Sequence, residues 1–158
     1  MSVTITTTIN GTPISANAEA STSLLEFLRD TLEMKGSKLC CNTGECGACT
    51  VIYNGKPINT CVTMAADANG AEIITIEGLA DGDKLHPVQQ AFIDTGAVQC
   101  GYCTPGFIMS VKALLDRTTK PTPSDIEEAV SGNICRCTGY NKIVDAIHLA
   151  ADRIAGRA

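Results

Sequence analysis

Cys40-Cys41-Asn42-Thr43-Gly44-Glu45-Cys46-Gly47-Ala48-Cys49 sets three thiols, Cys41, Cys46 and Cys49, at C-x4-C-x2-C spacing among small and turn-forming residues. A fourth thiol, Cys61, is separated from Cys49 by eleven residues. This is the plant-type [2Fe–2S] spacing. Each iron takes tetrahedral thiolate sulfur, so the loop has to wrap the cluster closely, and Gly44, Gly47 and Ala48 let the backbone approach without side-chain clash. Backbone N–H groups can then point at the sulfurs and tune the potential.

The flanks of this stretch fit a small sheet. Residues 3 to 9 (Val-Thr-Ile-Thr-Thr-Thr-Ile) are largely β-branched and end at Asn10-Gly11, which predicts a hairpin into residues 12 to 16. Ser23-Leu24-Leu25-Glu26 reads as a capping box, with Leu24, Leu25, Phe27, Leu28 and Leu32 on one helical face up to the cysteine loop. Thr50 to Tyr53, Asn54-Gly55 and Lys56-Pro57-Ile58 predict a second hairpin that carries the chain from Cys49 towards Cys61. Ile73 to Ile76 supplies a closing strand.

The β-branched character stops around Glu77 to Asp83, which predicts a domain boundary there. Everything beyond reads as helical. Pro87 opens a helix holding Val88, Ala91 and Phe92 that ends near Gly96, and Pro105 opens another holding Phe107, Ile108, Val111, Leu114 and Leu115. Pro121 and Pro123 break that helix. Ser124 to Glu127 reads as a further capping box, and a last helix begins near Tyr140 with Ile143, Val144, Ile147 and Ile154 on its apolar face. Cys100-Gly-Tyr-Cys103 and Cys135-Arg-Cys137 both fall between helices and just before a helix N-terminus, where anionic charge is favoured. The expectation is four helices around one buried cluster.

Nine cysteines in 158 residues would serve a small core either as disulfides or as metal ligands. The N-terminal Met1-Ser2-Val3-Thr4-Ile5-Thr6 has no export-signal character, so a cytoplasmic chain with metal-bound thiols is expected. Two four-thiolate clusters use eight of the nine. A zinc ribbon on the C-x2-C pairs, or redox-active thiols, are the competing readings, and zinc would leave Cys41, Cys61, Cys135 and Cys137 without a role. Cys40 as a ligand would change the first interval to C-x5-C, so it is expected as a small buried apolar residue. The net charge of −5, with no Trp, offers neither a basic groove nor a stacking platform for nucleic acid, and no apolar run is long enough to cross a membrane. His86 and His148 read as capping or surface residues. The chain is expected to carry electrons, not to transform a substrate itself.

Cys41-Asn-Thr-Gly-Glu-Cys46-Gly-Ala-Cys49-Thr, Gln99-Cys100-Gly-Tyr-Cys103-Thr-Pro-Gly-Phe and Asn133-Ile-Cys135-Arg-Cys137-Thr-Gly-Tyr together resemble the small iron–sulfur subunit of the xanthine dehydrogenase, or molybdenum hydroxylase, family. The resemblance covers almost the whole chain. It implies an α+β chain with an N-terminal ferredoxin-like β-grasp domain, residues 1–79, and a C-terminal four-helix domain, residues 80–158. Each would hold one [2Fe–2S] cluster, on Cys41, Cys46, Cys49 and Cys61 and on Cys100, Cys103, Cys135 and Cys137. It implies two partners, a large subunit with a molybdenum–pterin cofactor and a medium subunit with FAD, in a complex that is itself expected to dimerise. In this family the helical cluster lies beside the pterin, so Gln99 and Cys137 are expected at the pterin ring. Electrons would run from molybdenum through the helical and then the ferredoxin-like cluster to FAD during oxidative hydroxylation of an aldehyde or N-heterocycle. The alternative is an independent two-cluster ferredoxin serving separate reductases.

Overall fold

The computed structural model describes residues 1–157 as an α+β fold with one mixed five-stranded sheet and five helices. Strands β1 (Ser2–Ile9) and β2 (Thr12–Glu19) form the first hairpin, longer on its second strand than the sequence suggests. Asn10 and Gly11 carry φ of 51° and 77°, the paired left-handed conformations of a tight hairpin turn, and Asn54 and Gly55 repeat them at 46° and 79° between β3 (Thr50–Tyr53) and β4 (Lys56–Asn59). The last strand, β5 (Glu72–Ile74), pairs parallel to β1 and antiparallel to β3, giving the order β2-β1-β5-β3-β4.

The helix across the sheet departs from its expected form. The Ser23–Glu26 capping box is present, but α1 (Leu24–Glu26) passes at once into a π turn, Phe27–Thr31, closed by Leu32 N–H donating to the Phe27 carbonyl at 3.1 Å. Leu24, Leu25, Phe27 and Leu28 are all buried, and Leu24, Phe27 and Leu28 pack with Ile5, Ile9, Val51 and Ile73. Truncating such a Phe to Ala costs about 3–5 kcal/mol. The chain then turns sharply at Glu33 (φ 57°), and the Arg29 guanidinium donates to the carbonyls of Lys35 and Ser37, which fixes the approach to the cysteine loop.

Four helices follow, α2 (Pro87–Asp94), α3 (Thr104–Arg117), α4 (Pro123–Val130) and α5 (Asn141–Ile154). The capping box of α4 is formed by Thr122 and Asp125, not by Ser124 and Glu127. Pro123 lacks an N–H and takes the first helical position, which moves the cap one residue upstream of it. Tyr140 precedes α5 in the left-handed conformation, φ 70°. Val88, Phe92, Phe107, Val111, Ile143 and Ile147 make the core of this half. A smaller cluster of Ile52, Met109 and Ala113, with Ile74, Ile76 and Leu79 against it, joins the sheet to α3. Among the described residues no helix is long and apolar enough to cross a membrane.

Candidate metal centres

All nine cysteines are free thiols. The first loop brings Cys41, Cys46, Cys49 and Cys61 together at the end of β3. Thr43 N–H and Cys46 N–H each reach Cys41 Sγ at 3.4 Å, and the N–H groups of Ala48 and Gly44 face the sulfurs of Cys46 and Cys61. The donors of Thr43 first, and then Cys46, hold the Cys41 thiol down at about 5. Burial pushes Cys61 up to about 12, helped by its hydrogen bond with Cys49, which is itself buried. The loop is held from outside by residues that the spacing does not reveal: Asn59 Nδ2 donates to the Gly44 carbonyl at 2.5 Å, Thr60 Oγ1 to that of Cys49 at 2.8 Å, and Thr50 Oγ1 to that of Gly47 at 2.7 Å.

The second set draws on two segments far apart in sequence. Cys137 Sγ lies 3.5 Å from Cys100 Sγ, and Cys103 is hydrogen-bonded to Cys135. Burial of Cys135 opposes its ionisation, but donors from Thr138 Oγ1 (3.1 Å), Thr138 N and Cys137 N (both 3.4 Å) outweigh it and lower the thiol. Cys103 is pushed up to about 12, by burial first and then by Cys135. Cys100 and Cys137 are exposed, so this set opens to the surface and is not enclosed by the helices as the sequence suggests. Gln99, beside Cys100, is exposed too.

Each set is thus two pairs of thiols, with one pulled towards ionisation while a neighbour resists. Two sulfurs on one tetrahedral metal lie about 3.7 Å apart for metal–sulfur bonds of about 2.3 Å, close to the Cys100–Cys137 separation. A [2Fe–2S] cluster needs only two thiolates at each iron, and a coordinated thiol is deprotonated outright. The donor sets fit that group. Cys40 differs from expectation: it is exposed and stands with Arg136 on the rim of a mostly apolar groove that also holds Cys46, Cys100, Cys103 and Cys137. His86 caps α2, its Nδ1 accepting from Val88 N–H at 3.3 Å, and His148 is on the surface.

The two sets touch through backbone. Gly47 and Gly106 approach so closely that a Cβ at Gly106 would overlap the Gly47 carbonyl, and one at Gly47 would overlap the Gly132 carbonyl. Ile134 N–H donates to the Cys46 carbonyl at 3.0 Å. The Tyr102 hydroxyl donates to the carbonyl of Leu39.

A 2Fe-2S iron-sulfur cluster binding domain matches residues 7–73, and a [2Fe-2S] binding domain matches residues 75–148. The chain is 48% identical over 153 residues to the nicotinate dehydrogenase small FeS subunit of Eubacterium barkeri, covering 97% of this chain and 98% of that one. It is 48% identical over 147 residues to the xanthine dehydrogenase iron-sulfur-binding subunit of Escherichia coli O157:H7, with 92% of each covered. The solved structure of quinoline 2-oxidoreductase from Pseudomonas putida 86 superposes on 99% of the chain with a TM-score of 0.92 at 38% identity.

Proposed function

This chain belongs to the family of small [2Fe–2S] subunits of the xanthine dehydrogenase type, the molybdenum hydroxylases, and we propose that it is the electron conduit of such a complex. The observation that carries this reading is the pair of four-thiol sets, each built as two thiol pairs, with hydrogen bonds between their loops. When bound, the clusters supply one-electron acceptors between a two-electron molybdenum–pterin site on a large subunit and FAD on a medium subunit. The protein's own part is to hold the thiolates rigidly and to aim backbone N–H groups at them, so that little rearranges as charge comes and goes.

Cys41, Cys46, Cys49 and Cys61 hold one cluster in a ferredoxin-like β-grasp domain, residues 1–79. Cys100, Cys103, Cys135 and Cys137 hold the other in a four-helix domain, residues 80–158. The helical set is the inlet, with Cys137 and Gln99 meeting the pterin. Its support is exposure: Cys100, Cys137 and Gln99 face outward beside exposed Tyr102 and Ile134, an apolar surface suited to a large subunit. The first set is the outlet towards FAD. Nine free thiols suit the reducing cytoplasm.

The complex would hydroxylate an N-heterocycle or an aldehyde with oxygen from water; the nicotinate and xanthine dehydrogenase relatives support the former. Coverage of nearly the whole length of subunits of larger enzymes argues against a free ferredoxin. Purification of the native complex tests this: a stable heteromer with equimolar molybdenum and FAD, whose iron–sulfur absorbance bleaches on adding an N-heterocycle or an aldehyde, is expected. A lone monomer that reduces unrelated reductases would contradict it.

A further inference from the structure

Asn133 is 5% exposed, and nothing about the cysteine spacing assigns it a role. Its Nδ2 donates at 3.1 Å to the carbonyl of Gly47, which lies 86 residues away in the first cysteine loop. Its Oδ1 accepts at 2.7 Å from the hydroxyl of Ser110, also 5% exposed, on α3. A carbonyl can only accept, so the amide orientation is fixed: the NH2 must face Gly47. The residue before Gly47 is Cys46, and the residue after Asn133 is Ile134, whose N–H donates to the Cys46 carbonyl. Cys46 in one set and Cys135 in the other are therefore joined through Ile134 and a single hydrogen bond, with the Asn133 carboxamide clamped beside it.

Resting on the two-cluster reading above, we infer that Asn133 is a positioning residue for electron passage, and that its carboxamide holds the two cysteine loops in register so that the Cys46–Ile134 hydrogen bond is kept as the bonded route between clusters. One electron passed between the sets oxidises the donor and reduces the acceptor, and no bond is made or broken. What the protein controls is the separation and the continuity of the bonded path. A donor is needed at Asn133, because Gly47 offers only an acceptor; Asp of the same shape would set oxygen against oxygen.

The test uses the full chain in its purified complex, reduced with dithionite. Asn133→Asp and Asn133→Ala are expected to keep wild-type iron and labile sulfide while the spin–spin splitting between the two reduced clusters narrows or is lost. The Ile134 amide, followed by hydrogen exchange, should open about tenfold faster, the scale of one lost hydrogen bond. Ser110→Ala leaves the donor in place and should shift both readouts less, in the same direction. Full iron with unchanged splitting in Asn133→Asp overturns the inference. Should the Asn133 variants lose iron, Ser110→Ala decides: narrowed splitting supports the clamp, and unchanged splitting overturns it. A wild-type chain lacking either cluster would instead overturn the two-cluster reading itself.

Discussion

The two cysteine sets solve one problem in different ways. The first is local: three thiols lie in one loop, the fourth returns on the hairpin β3–β4, and side chains of Asn59 and Thr60 tie the loop down. The second is assembled from segments on either side of α3 and α4, leaves Cys100 and Cys137 exposed, and depends on Thr138 beside Cys135. A local loop sets its own geometry. A split site takes its geometry from helix packing and leaves an open face, the face proposed above for the large subunit.

If the backbone contact between the sets matters as argued, Gly47→Ala is the most damaging conservative change. Its φ of +66° disfavours a side chain, and the new Cβ would meet the Gly132 carbonyl and Asn133. A loss of about 3 kcal/mol or more is expected, seen as a fall in the thermal midpoint. Gly44→Ala, at φ +81° with its Cβ 3.2 Å from the flexible Val62 side chain, should cost only about 1 kcal/mol. Equal losses would show that the joint carries no special constraint.

Thr138→Ala sharpens the comparison next. It removes the hydroxyl that donates to Cys135 Sγ and favours the more negative, reduced site. The helical cluster's potential should drop by about 40 mV, the one-electron equivalent of ~1 kcal/mol, while that of the first cluster stays put. Potentiometric titration followed by spin resonance separates the two. A shift in both clusters would mean that they do not titrate as independent sites.

The smallest effect is a pH dependence confined to the helical half. Burial, followed by nearby Lys112 on α3, lowers His86 from its ordinary value of 6.5, and Asp116 on the same helix partly offsets them. The folded chain thus keeps His86 neutral, as its accepting Nδ1 requires. An unfolded His86 binds a proton more readily, so its contribution is complete above about pH 6.5 and is lost as pH falls below it towards the depressed folded value. The thermal midpoint should fall more steeply from pH 7 to 5.5 in wild type than in His86→Gln.

Both hairpins were legible because Asn-Gly turns state their backbone conformation locally, and the helices α2, α3 and α5 because apolar spacing and Pro mark them. The π turn at Phe27–Thr31 was not: the same apolar residues serve an α or a π turn, and tertiary packing selects between them. Cys40 departs from expectation because small thiols are usually buried, whereas the folded loop leaves this one exposed. Asn133, Ser110 and Thr60 were invisible for a different reason. Each acts on a carbonyl remote in sequence, and a single chain carries no local mark of that partner.

The division of the thiols as four, four and one is tested most directly by counting iron and labile sulfide per chain in wild type, Cys40→Ala and Cys41→Ala. About four of each is expected in wild type and in Cys40→Ala, and about two in Cys41→Ala with the helical cluster's spectrum intact. Loss of iron in Cys40→Ala with full iron in Cys41→Ala would contradict it.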